Sequence, residues 1–165
     1  MPDATGFTAL LDRHRGILVK VAASYAATPE ERADLMQEIA AQLWRAFPRY
    51  DAARPFSTWM YRIALNTAIG ELRRRGRERG HRDPHADDAA LSAVADAADA
   101  ADPERVRQVH ALHAFIAAQK PLDRALLLMH LDGHAHREIA EVLGIGESNV
   151  STKMARLRRR IHDEL

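Results

Sequence analysis

No cysteine occurs among the 165 residues. That absence excludes a disulfide framework, a thiolate zinc finger, a cysteine nucleophile and a thiolate-bound iron–sulfur cluster. No window approaches eighteen consecutive apolar residues, and the first thirty residues lack a charged start followed by an apolar run. Neither a membrane span nor a signal peptide is therefore expected. Aromatics are scarce, nine in all, and eight of them precede residue 76, which places the better core in the first half. The hydrophobic fraction of 47% includes 31 alanines, so the core is expected to be modest and helical. There is no phosphate-cradling glycine loop, no nucleophile triad and no inward pair of carboxylates, so the chain is not expected to be an enzyme. Length and composition fit one ordinary domain or two small ones in a cytoplasmic protein.

The overall balance of 24 basic against 23 acidic residues hides a division. Residues 1–75 carry 11 basic and 8 acidic groups, residues 76–104 carry 3 and 8, and residues 105–165 carry 10 and 7. Arg73, Arg74, Arg75, Arg77, Arg79 and Arg82 cluster at the end of the first basic block, and Lys153, Arg156, Arg158, Arg159 and Arg160 near the end of the last. Two such clusters suit a polyanion touched at two places. Solvated helix ends that complement the helix dipole are the plainer alternative for either one.

Phe7, Leu10, Leu11, Leu18, Val21 and Tyr25 recur at helical spacing and predict one amphipathic helix over 5–27. Thr28-Pro29-Glu30-Glu31 reads as an N-cap, a proline at the first helical position and a capping-box glutamate, opening a helix to about Phe47 with Leu35, Ile39, Leu43 and Phe47 inward. A loop from Pro48 to Pro55 leads to a third helix over 56–75, with Trp59, Ile63, Ile69 and Leu72 inward. Residues 76–102 hold only Leu91 and Val94 as large aliphatics, too few to offset their ordering entropy, and are expected to form a flexible acidic linker. Asp102-Pro103 restarts regular structure, followed by helices over 122–131, 136–143 and 147–161. The fold class expected is all-α: two small helical domains, 1–75 and 103–165, joined by the linker.

In the last block Ala140, Gly144 and Val150 fall where a helix-turn-helix needs a small crossing residue, a turn glycine and a buried branched residue. With Val150, Met154, Leu157 and Ile161 buried, the opposite face carries Ser148, Asn149, Ser151, Thr152, Lys153 and Arg156. Short polar groups backed by cations suit base edges and phosphates in a major groove, whereas a hairpin used only for packing has no need of a one-sided basic face. In the first block, RYDAARPFSTWMYRIALNTAIGELRRRGR interleaves aromatics with cations, as unpaired bases require. Arg62, Asn66, Gly70 and Arg73 are spaced along one helix face. Periodicity makes Phe56 and Trp59 core residues and leaves Tyr50 and Asn66 freer to touch a ligand.

Taken in order, DLMQEIAAQLWRAFPRYD (34–51), RPFSTWMYRIALNTAIGELRRR (54–75) and EIAEVLGIGESNVSTKMARLRRRI (138–161) resemble the extracytoplasmic-function sigma factors of bacterial RNA polymerase. The likeness covers both helical blocks, and three motifs in order are far more specific than any one. It implies that Asp34, Leu35, Gln37 and Glu38 lie on the helix that docks the clamp coiled coil of the polymerase. Tyr50 would sit in the loop that captures an extruded base of the minus-ten element, and Asn66 matches the helix asparagine beside that pocket. Arg54, Arg62 and Arg73 complete the minus-ten set. Ser148, Asn149, Ser151, Thr152, Lys153 and Arg156 would face the minus-thirty-five duplex.

The implied partners are core RNA polymerase and promoter DNA, with an anti-sigma protein as a further partner the resemblance admits, and no membrane or small-molecule substrate. Three positions depart from the family pattern. Gly70 replaces a common aspartate, costing up to about 1 kcal/mol of helix stability unless something approaches the backbone there. Ala135 stands where a serine cap is frequent, a loss of about 0.5–2 kcal/mol, and Ser151 replaces a frequent basic residue.

The nine histidines include His130, His134 and His136 around a turn, but the His134-Ala135-His136 alternation does not match a helix-face metal motif, and no metal or cofactor is expected. Two readings from other classes remain: a stand-alone helix-turn-helix regulator binding an operator as a dimer, and an interaction module whose basic ends bind an acidic protein. The acids between Asp83 and Glu104 could act as a passive solvated spacer or fold back on the basic helix ends.

Overall fold

The structure, a computed structural model, describes residues 3–79 and 102–165. All regular structure among them is helical, in two compact units that divide between residues 83 and 84. The expected linker falls, for residues 80–101, outside the described residues.

The first unit opens with α1 (Ala4–Arg13) and α2 (Arg15–Tyr25) rather than the single helix expected over 5–27. The chain leaves helical geometry at His14, with φ −107° and ψ 19°. Phe7 on α1 packs edge-on against Trp44 and Phe47, at 5.2 and 5.1 Å between ring centroids, and His14 stacks on Phe56 at 5.1 Å. These contacts lie outside the repeat that sequence spacing can report, and the break serves both. In α3 (Pro29–Ala46) the expected cap is present: Thr28 Oγ1 accepts the Glu31 N–H at 3.1 Å. The Glu31 carboxylate reaches back to the Ala27 N–H at 3.2 Å.

Leu35, Ile39 and Leu43 are buried along α3, and a 3-10 turn, Phe47–Arg49, follows it. The next helix, α4 (Phe56–Arg79), packs against both α2 and α3. Its buried face is Phe56, Met60, Tyr61, Ala64, Leu65 and Ala68. The expected Trp59, Ile63, Ile69 and Leu72 are half-buried flanks instead. A helix wedged against two neighbours turns its small residues to the closest approach, so Ala64 and Ala68 lie inside and the bulkier side chains fill the margins. α4 also runs through Gly76 to Arg79, beyond the expected end at 75.

The second unit holds α5 (Pro103–Ala117), α6 (Pro121–Leu131), α7 (His136–Leu143) and α8 (Glu147–Glu164). Asp102 caps α5 by accepting the Glu104 N–H at 3.0 Å. α6 is the hub, buried from Asp123 to Met129 and packed against α5, α7 and α8. Between α7 and α8 lies the expected three-residue turn. Gly144 sits at φ 68° and ψ 33°, a left-handed conformation that any Cβ would strain, and the Ile145 N–H closes on the Ala140 carbonyl at 3.1 Å. Val150, Met154 and Leu157 are fully buried on the inner face of α8, as the pattern requires, whereas the expected Ile161 near the end of the helix is half-buried.

Candidate nucleic-acid interface

On α4, Arg62, Asn66, Gly70 and Arg73 are all exposed and share one face, as their spacing demands. A Cβ built on Gly70 would meet nothing within 4 Å, so no tight packing within this chain explains the glycine. The neighbouring arginines are less available than their number suggests. Arg74 pairs with Glu71 at 2.8 Å and Glu78 at 3.0 Å, and its hydrogen bond holds the Glu71 carboxyl below the usual carboxylate range against an opposing push from burial. Arg75 pairs with Glu31 of α3 at 3.4 Å. Arg73 pairs with no carboxylate among the described residues and projects its charge to solvent. Arg82 lies outside the described residues.

The loop before α4 is tightly built. Asp51 Oδ1 accepts the Ala53 N–H at 3.0 Å, and its carbonyl accepts the Arg54 N–H at 3.0 Å. Tyr50, expected to be freer, has its ring 5.9 Å from Phe47, 5.4 Å from Phe56 and 4.9 Å from Trp59. Its hydroxyl donates to the Arg54 carbonyl at 2.8 Å, and burial, followed by the Asp51 charge, raises its pKa above the ordinary phenol value. The result is a preformed, half-buried aromatic patch at the foot of α4. Such a surface offers π-faces to bases without first having to order them.

On α3, Asp34 and Gln37 are exposed and Glu38 is half-buried, accepting from Gln42 Nε2 at 2.9 Å. Leu35 is only 1% exposed. It belongs to the core with Ile39 and Leu43, one helical turn apart, and is unavailable to a partner, which corrects its place among the expected docking residues. Trp44, 40% exposed on the same helix, is an apolar surface group that the periodicity argument passed over.

On α8, Ser148, Asn149, Ser151, Thr152 and Arg156 are exposed, and Lys153 is half-buried. Thr152 Oγ1 donates back to the Ser148 carbonyl at 3.0 Å, and Ser151 Oγ lies 2.9 Å from His136 Nδ1, tying α8 to the first turn of α7. Ala135 caps α7 without a side-chain hydrogen bond, as its methyl requires. The C-terminal cations are again partly engaged. Arg160 donates to Gln119 Oε1 at 2.8 Å and lies over the Phe115 ring at 5.3 Å. Arg158 approaches His130 Nε2 at 3.3 Å. Burial first, then Arg158 and His136, lower the His130 pKa.

Asp123 was missed in the sequence. It sits in the first turn of α6, where an acid ordinarily reads as a dipole complement, yet its side chain is only 8% exposed. Oδ2 lies 3.3 Å from Arg156 Nη2 and Oδ1 lies 3.5 Å from Lys153 Nζ. Among the described residues no three histidine or acidic side chains gather as a metal site, and no helix is long and apolar enough to cross a membrane.

Residues 10–78 match the family model of sigma-70 region 2, and residues 110–161 match that of sigma-70 region 4. The chain is 25% identical to the ECF RNA polymerase sigma-E factor of Haemophilus influenzae, over 99% of its own length and 89% of the relative's. It is 30% identical to the ECF RNA polymerase sigma factor SigM of Mycobacterium tuberculosis, over 96% and 76%. In fold it resembles the sigma factor RpoE of Bartonella quintana, solved in complex with the anti-sigma factor NepR, with a TM-score of 0.73 at 16% identity over 97% and 96% of the two chains. CnrH, solved with the cytosolic domain of CnrY, gives 0.66 at 23% identity over 98% and 88%. The stand-alone operator-binding regulator, in which the first block would serve only for oligomerisation, is set aside because that block matches sigma-70 region 2. The chain belongs to the extracytoplasmic-function sigma factors of the sigma-70 family, non-enzymatic subunits that bind core RNA polymerase and direct promoter recognition and transcription initiation.

Proposed function

We propose that the two units divide a bipartite promoter between them. The first unit docks on core polymerase through the exposed acids and amide of α3, Asp34, Gln37 and Glu38. It meets the minus-ten element with the aromatic patch around Tyr50, with Arg54, and with the column Arg62, Asn66 and Arg73. The second unit lays the N-terminal turns of α8 in the major groove of the minus-thirty-five element, reading it with Ser148, Asn149, Ser151 and Thr152 and touching backbone with Lys153 and Arg156.

The observation that carries this reading is the two-sidedness of α8. Val150, Met154 and Leu157 are buried against the unit while the four short polar side chains stand exposed on the other face. Each contact is weak alone, and polymerase makes them act together by holding both units at high effective concentration. The protein acts in the cytoplasm, where its polymerase is. RpoE of Bartonella quintana was solved in complex with the anti-sigma factor NepR, and the proposed reading includes a partner of that class for this chain.

The test is transcription of fragmented bacterial DNA by core polymerase with and without the protein, followed by sequencing of transcript starts. New starts sharing two upstream elements at fixed spacing are expected, with Asn149→Ala altering preference at the upstream element alone. Unchanged starts with demonstrably folded protein would overturn the division proposed here.

A further inference from the structure

Among the described residues of the second unit Asp123 is the most deeply buried charged residue, and its carboxylate faces two of the five cations of the reading helix, Lys153 and Arg156. It is fixed: 8% exposed, on the buried hub helix, in a first turn whose dipole favours its negative charge. Its partners are not. Arg156 is 58% exposed and Lys153 23%, each on a long stem that can swing its head into water. The separations of 3.3 and 3.5 Å lie at the loose end of charge-assisted pairing, so the contacts can be exchanged for other anions. A phosphate backbone is such an anion.

The geometry points to Asp123 as a specificity-determining residue that withholds Lys153 and Arg156 from DNA phosphates until base-edge contacts have seated α8. This inference rests on α8 being the duplex-reading helix. Its physical basis is the difference between the two kinds of contact. Phosphate contacts supply affinity for every sequence alike, whereas base-edge contacts discriminate. A buried carboxylate that competes for the two cations subtracts from the first kind. It leaves Ser148, Asn149, Ser151 and Thr152 untouched. Lys153 and Arg156 thereby present together one net positive charge where two would stand without Asp123, and random duplex is held less tightly than the cation count implies.

The experiment measures binding of the full chain to a random-sequence duplex by fluorescence anisotropy over a range of salt. Asp123→Asn should bind more tightly than the parent. Its plot of log affinity against log salt should be steeper by about one unit, so its advantage should grow about 4-fold between 200 and 50 mM salt. In a chain that also carries Lys153→Gln and Arg156→Gln, the advantage should vanish. Unchanged or weaker binding by a folded Asp123→Asn chain, or an advantage that survives loss of both cations, overturns the inference.

Should the buried substitution prevent folding, the chain carrying only Lys153→Gln and Arg156→Gln decides. With one of the two charges already cancelled by Asp123, its salt slope on random duplex should fall by about one unit. A fall of about two units overturns the inference. Failure of the underlying reading of α8 appears separately, as transcript starts that ignore Asn149→Ala.

Discussion

Glu31 and Arg75 meet at 3.4 Å with both side chains largely shielded, joining the first turn of α3 to the last third of α4. The same carboxylate accepts the Ala27 N–H and so also closes the entrance to α3. One side chain thus fixes the helix assigned to polymerase against the helix assigned to the minus-ten element. The pair is expected to show a coupling of about 1 kcal/mol in a double-mutant cycle of Glu31→Gln and Arg75→Gln, read by denaturant unfolding. Strictly additive effects would show that Arg75 is held by something else.

The two ends of α7 make opposite predictions. Gly144→Ala places a Cβ in the left-handed region and should destabilise the second unit by about 1–2 kcal/mol. Ala135→Ser supplies the missing cap at a residue already extended, φ −68° and ψ 152°, and should stabilise it by about 0.5–2 kcal/mol. Thermal unfolding of the two variants beside the parent measures both, and a stabilising Gly144→Ala would contradict the backbone geometry.

Two histidines make stability depend on pH in one direction. Burial, aided by nearby positive charge, lowers both His14 and His130 from 6.5. Below 6.5 the unfolded chain therefore takes up protons that the folded chain refuses. The stability these rings contribute is complete above 6.5 and is lost as pH falls through their folded values. The thermal midpoint should drop between about pH 7 and about pH 5.5, and His130→Gln should flatten the second unit's share of that drop. An equally steep profile in His130→Gln would remove His130 from the account.

Tyr50 should separate packing from promoter opening. Tyr50→Phe keeps the ring and loses the bond to the Arg54 carbonyl, costing about 0.5–1.5 kcal/mol of stability or less at so open a site. Tyr50→Ala also opens the patch formed with Phe47, Phe56 and Trp59. Its holoenzyme should still assemble yet open promoters poorly, as read by permanganate reactivity of unpaired thymines. Normal opening by Tyr50→Ala would exclude the patch from melting.

Much of this molecule is legible in its sequence wherever the cause is local. Thr28, Pro29, Asp102 and Gly144 start or stop helices through bonds and backbone angles within a few residues of themselves, and each does so in the structure as the sequence implies. The exposed column on α4 and the two faces of α8 follow from helical period alone. The reading failed where size was taken for burial. Trp59 and Ile63 looked like core, but Ala64 and Ala68 are deeper, because two helices approach α4 at once.

The sequence by itself therefore determined the all-helical class, the helix-turn-helix and the order of the motifs, since short-range chemistry and spacing carry these, and the resemblance of those motifs pointed to the family. Only the tertiary structure decided that the first helix breaks at His14, that Ala64 and Ala68 lie deeper than Trp59 and Ile63, and that Arg75, Lys153 and Arg156 face carboxylates on other helices. The physical reason is distance along the chain. Asp123 and Arg156 are 33 positions apart, and no local rule says which of many acids a cation will find once the helices have packed.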